Sequence, residues 1–174
     1  MVSVKLIERN TGKIAVYLSA IINEDGDLVL EGQDLGAGVE EYWGDSDYEY
    51  WVVVSASNKL KVFLLLTQYA FKNIGELIKW LDNIEVEYDK VGNNTAEQLI
   101  TVEADDDQMV FNINLGGLGI KDIKPILRLA RKHEDKLILM LLQYMFQNGM
   151  FKNDSAFMDW LKRNNIEYKF HSYA

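Results

Sequence analysis

The residues with most capacity for chemistry in this chain are carboxylates set close together. Asn23, Glu24, Asp25 and Asp27 surround Gly26, and Asp45 and Asp47 flank Ser46. Closely spaced oxygen donors suit a hard cation such as calcium or magnesium. Asn23, Asp25 and Asp27 match the first three ligand positions of an EF-hand loop. However, Asp34 stands where a bidentate glutamate belongs and Gly26 is out of place. A hairpin turn accounts for this run better, and no metal is assigned. Paired carboxylates can also cleave a glycosidic bond, one protonated and one ionised across a cleft. With 27 aspartates and glutamates in the chain, spacing singles out no pair. His133 and His171 lie in unlike surroundings and define no triad. There is no cysteine, which removes thiolate nucleophiles, disulfides and cysteine-based metal sites and suits a reducing compartment. Gly116, Gly117 and Gly119 lack the spacing of a phosphate-binding loop. The residues therefore specify no reaction, no catalytic group and no cofactor.

Charge distribution says more. Residues 14–58 hold ten acids and no lysine or arginine. The chain's formal net charge is -9, so everything outside this window sums to about +1. Aromatic residues sit among the acids. Asp34, Glu40, Glu41, Tyr42, Trp43, Asp45, Asp47, Tyr48, Glu49 and Tyr50 form the candidate partner-binding set. Carboxylates there would meet lysine or arginine of a basic protein, and tyrosine and tryptophan would supply rigid contact area. Direct nucleic-acid binding needs positive charge and is disfavoured. Residues 121–174 carry 10 basic and 6 acidic residues, so the two parts of the chain could attract each other within one fold or between subunits of a homodimer. The beginning of the sequence shows no secretory leader, and no apolar run reaches the roughly 20 residues of a membrane span. A cytoplasmic protein is the expectation.

The elements that must position these residues repeat. Trp80, Leu81, Glu87 and Tyr88 recur as Trp160, Leu161, Glu167 and Tyr168, an offset of 80. Gln68-Tyr69 and Phe71 recur as Gln143-Tyr144 and Phe146, an offset of 75. Self-similarity at one long period points to tandem duplication. The expected fold is α+β, with two tandem diverged β-β-β-α-α-β repeats, 1–92 and 93–174, in one compact pseudo-symmetric body.

In the first repeat, residues 13–22 and 28–33 form a hairpin around Asp25-Gly26. Residues 48–55 form the strongest strand, with Tyr48, Tyr50, Val52 and Val54 on one face. Residues 59–72 form a helix apolar almost all round, hence buried. Asn73 and Glu76 have capping-box spacing and open a helix through residue 82. A strand follows over 85–91. The second repeat has strands near 97–103 and 108–114, helices over 134–148 and 154–164, and a last strand over 166–172. Residues 126–130 read as helix by propensity and as strand by alignment with 51–55; the alignment is followed here.

The run from 28 to 53, LVLEGQDLGAGVEEYWGDSDYEYWVV, resembles a signature of a group of small, uncharacterised bacterial proteins with an EGQDLG…GDSDYEYW run, a leucine-rich helix and a tail like residues 160–172. The resemblance implies bacterial origin and a compact α+β domain, and it carries no activity with it. The second half has no copy of GDSDYEY; Lys121, Lys124, Arg128, Arg131 and Lys132 take its place. Together these features point to a non-enzymatic, acidic protein-binding module, for instance an immunity-type inhibitor of a basic bacterial toxin. The alternatives are an enzyme, a small-ligand or divalent-cation protein using the Asp/Glu cluster, or a homodimeric protein of other function.

Overall fold

A computed structural model describes residues 2–86, 100–104, 107–111 and 120–174. It is α+β, with strands β1 (Ser3–Asn10), β2 (Ala15–Ile22), β3 (Leu28–Leu35) and β4 (Asp47–Val54), and a short helix α1 (Ala37–Trp43) between β3 and β4. Helices α2 (Lys59–Ala70) and α3 (Ile74–Asn83) follow, then β5 (Ile100–Ala104), β6 (Asp107–Phe111), α4 (Ile120–Gln147), α5 (Asp154–Arg163) and β7 (Lys169–Tyr173). By contacts the chain divides into two compact units, one of Met1–Lys59 with Ile138–Ala174 and one of Leu60–Leu137.

In the first unit five antiparallel strands make one sheet, in the order β1-β2-β3-β4-β7. Side chains alternate across a strand, so register assigns faces. Leu18, Leu30, Val52 and Val54 lie on the covered face and are buried. Burying such a side chain is worth about 1.5–3 kcal/mol each, which fixes this register against a one-residue slip. Glu31, Gln33, Glu49 and Trp51 alternate onto the outer face. The hairpin turn forms where Asp25-Gly26 places it: Gly26 has φ +79°, and Asn23 N–H donates to the Asp27 carbonyl. A register shift between Lys5 and Ile7 interrupts the edge strand β1, whereas all five residues of the other edge, β7, are exposed.

The apolar helices are buried as their composition requires. In α2, Val62, Phe63, Leu64 and Leu66 are inaccessible to solvent; in α4, so are Leu137, Ile138, Leu139, Leu141 and Leu142. Helix α3 begins at Asn73, whose side chain accepts from Glu76 N–H at 3.1 Å, and the Glu76 carboxylate accepts from Lys72 N–H at 2.8 Å. Helix α5 begins the same way, with Ala156 N–H donating to Asn153 Oδ1 at 2.9 Å.

Residues 126–130 are helical, not a strand: they lie inside α4. Leucine, arginine and alanine are strong helix formers, and a kink at His133, whose backbone is non-helical (φ -132°, ψ 24°), separates this stretch from the buried apolar run that follows. At this position the two halves of the chain differ, and the strand expected opposite β4 in the second half is absent among the described residues. What does recur is a helix with its ending. Phe71, Asn73, Trp80, Leu81, Glu85 and Val86 correspond at an offset of 80 to Phe151, Asn153, Trp160, Leu161, Asn165 and Ile166. Glu85 and Asn165 both take the left-handed conformation (φ 54° and 52°), and Val86 and Ile166 both donate N–H to the leucine carbonyl five residues back. The strand expected over 85–91 and the outer ends of those over 97–103 and 108–114 fall largely outside the described residues. Among the described residues no helix is long and apolar enough to cross a membrane.

Candidate functional site

Helix α1 is pinned at both ends by backbone. Gly38 N–H donates to the Lys13 carbonyl at 3.1 Å, and a β-carbon at Gly38 would lie 2.6 Å from the Ile14 side chain. At the other end Gly44, with φ +78°, turns the chain and donates to the Glu40 carbonyl at 2.9 Å. This short helix holds its aromatic pair in water: Tyr42 is 82% and Trp43 59% exposed. Glu40, Glu41 and Asp45 beside them are exposed. Among the described residues none of Glu40, Glu41, Asp45, Asp47 or Glu49 forms an ion pair.

The Trp43 ring is not loose. It stacks on Tyr48, with centroids 4.8 Å apart and planes within 1°. Tyr48 leans on Tyr50 at 5.5 Å. Tyr50 is 5% exposed and lies over Gly32, where a β-carbon would be 2.1 Å from its ring. A side chain at position 32 would fill the space Tyr50 occupies, so glycine is what lets the ring lie flat across the neighbouring strand. Three rings thus run from solvent to core.

The ten residues expected to bind a partner therefore part into three groups. Glu40, Glu41, Tyr42, Trp43 and Asp45 are exposed at one end of the sheet. Asp47 and Glu49 are half-buried on its outer face, where Asp47 accepts from Gln33 Nε2 at 3.1 and 3.3 Å. Asp34, Tyr48 and Tyr50 belong to the covered face. Tyr50 is not available to a partner, because alternation along β4 turns it into the core. The remaining acids lie elsewhere. Glu24, Asp25 and Asp27 occupy the opposite hairpin end, separated from Asp34 by the length of an eight-residue strand, roughly 25 Å. The turn's oxygens serve the backbone: Asn23 Oδ1 accepts from Asp27 N–H and Asp27 Oδ1 from Ala56 N–H, each at 2.8 Å. An open cleft of about 450 Å³ at that end is lined by Asp27, Val53, Ser55, Ile166, Glu167, Tyr168 and Lys169.

Beneath the aromatic ladder is an electrostatic cluster that sequence reading missed. Asp34 on β3, Tyr50 on β4 and Asp154 at the first turn of α5 act on one another, with Arg9 of β1 and Tyr48 at the margin. Burial, then the Asp154 charge, raises the Asp34 carboxyl above the usual carboxylate range; Arg9 and the Tyr50 hydroxyl pull it back in part. Burial also raises Asp154, against the backbone N–H groups of Ser155 and of Asp154 itself. Burial and then the charges of Asp154 and Asp34 push the Tyr50 phenol well above its ordinary value. Asp34 Oδ1 is buried without a hydrogen-bond partner. Such a pair holds a proton more readily than two exposed aspartates do. The one signal available in sequence was register: Leu28, Leu30, Gly32 and Asp34 alternate, which puts a carboxylate on the core side. Nothing local told of Arg9 or Asp154, which tertiary folding brings in.

Comparison of the chain with family models, with curated proteins and with solved structures yields no match.

Proposed function

We propose that this chain is a non-enzymatic binding module that docks a basic protein through the end of its sheet carrying α1. The observation that carries the reading is the pair of exposed rings, Tyr42 and Trp43, set among carboxylates that have no cationic partner among the described residues. Rigid aromatic area surrounded by unneutralised charge is what a protein hot spot uses: the rings supply contact, and the charges supply steering and orientation. In its concrete form the proposal is an immunity-type inhibitor in a bacterial cytoplasm that covers a basic toxin. On this reading the two helix-and-ending copies are remnants of a tandem duplication in which only the first half kept the acidic run.

The test uses a fluorescent hexa-lysine peptide as a cationic probe. Wild-type protein is expected to bind it with an affinity that falls as salt rises, and Asp45→Lys, Asp47→Lys and Glu49→Lys together to weaken binding at least about tenfold and flatten the salt dependence. Unchanged binding by the triple variant overturns the proposal, as does the absence of binding by wild type.

A further inference from the structure

The docking surface has a feature that distinguishes between basic side chains. Trp43 has one face of its indole stacked on Tyr48, and Tyr48 is itself backed by buried Tyr50. The indole is therefore held against Tyr48 before anything binds, and the residue is still 59% exposed. A ring already fixed loses little conformational freedom on binding. Glu40 lies one turn before Trp43 on α1, the spacing at which helical side chains are neighbours. Asp45 follows Gly44, with Oδ1 accepting from Asp47 N–H at 3.2 Å and its second oxygen left over.

We infer that Trp43 is an arginine receptor: a guanidinium group of the partner stacks flat on the open indole face while Glu40 and Asp45 accept its N–H groups. This deepens the docking reading above and rests on it. Charge complementarity alone would accept lysine equally. The flat platform does not, because a guanidinium is planar, weakly hydrated and able to donate sideways to carboxylates while its face lies on a ring, whereas an ammonium is a compact, strongly hydrated point charge. The residues of α1 thus select an arginine-bearing basic surface.

Fluorescent hexa-arginine and hexa-lysine peptides, titrated in parallel at low salt, test this with charge held equal. Wild-type protein is expected to bind the arginine peptide about two- to fivefold tighter. Trp43→Leu is expected to abolish that preference, lowering hexa-arginine affinity more than hexa-lysine affinity; Trp43→Phe, which keeps an aromatic face, retains part of it. A thermal melt of each variant confirms folding, which the exposure of residue 43 makes the expected result. Equal affinity of the two peptides for wild type, or a preference that survives Trp43→Leu, overturns the arginine assignment and leaves the docking surface standing. Binding of neither peptide overturns both.

Discussion

The buried acids give the clearest consequence at the scale of single residues. Asp34 and Asp154 both have carboxyls raised above their ordinary range, chiefly by burial. A carboxyl raised in the folded state contributes its stability below the pKa it has in the unfolded chain, and that contribution is lost as pH rises through the folded value. At neutral pH these two ionised groups therefore oppose folding. Asp34→Asn, which removes one charge from the cluster of Asp34, Asp154, Tyr48, Tyr50 and Arg9, is expected to raise the melting temperature at pH 7 by about 2 °C or more and to leave no gain at pH 4. Melts across that interval check both the sign and the window; a variant less stable than wild type at pH 7 would show that Arg9 and Tyr50 outweigh burial. Asp34 also illustrates the limit of reading residue types: it belongs to the acidic run in sequence and to the covered face in space.

Among the elements, the two helices that recur are alike because their ends are specified locally. Asn73 and Asn153 each cap the helix that follows, and Glu85 and Asn165 each end the turn beyond it in the left-handed region. Asn153→Ala removes the acceptor for Ala156 N–H and is expected to cost about 1 kcal/mol, a fall of about 2–4 °C in melting temperature for a chain of this size. Asn153→Ser, which can still cap, should restore most of it. Capping by Asn73, the hairpin at Asp25-Gly26 and the burial of α2 and α4 were legible, because each depends on residues adjacent in sequence; the Asn153 cap was not read. Residues 126–130 were not legible. There, alignment between repeats pointed to a strand, whereas local helix propensity won. Helix α1 was also missed. Its seven residues carry too little periodicity to read, and it is fixed by the backbone contact of Gly38 with Lys13 and by the turn at Gly44.

For the molecule as a whole, charge is the governing quantity. The net charge of -9 is concentrated in residues 14–58, and none of Glu40, Glu41, Asp45, Asp47 or Glu49 in that stretch forms an ion pair among the described residues. Self-repulsion should therefore be relieved by screening, and the melting temperature is expected to rise by about 2 °C or more as monovalent salt goes from low to physiological strength. A fall with salt would mean that the carboxylates are neutralised inside the protein. Sequence by itself determined this charge, the α+β class, the alternation that sorts β3 and β4 into two faces and the helix caps, because composition and short-range spacing suffice for each. It also put Glu40, Trp43 and Asp45 in one acidic, aromatic run. Only the tertiary structure decided that β7, from the far end of the chain, pairs with β4, that Trp43 stacks on Tyr48 while Tyr50 lies over Gly32, and that the Asp154 charge acts on Asp34. Apart from the Trp43–Tyr48 stack, these join residues far apart in sequence, and all of them depend on strand register and on the packing of the sheet's covered face.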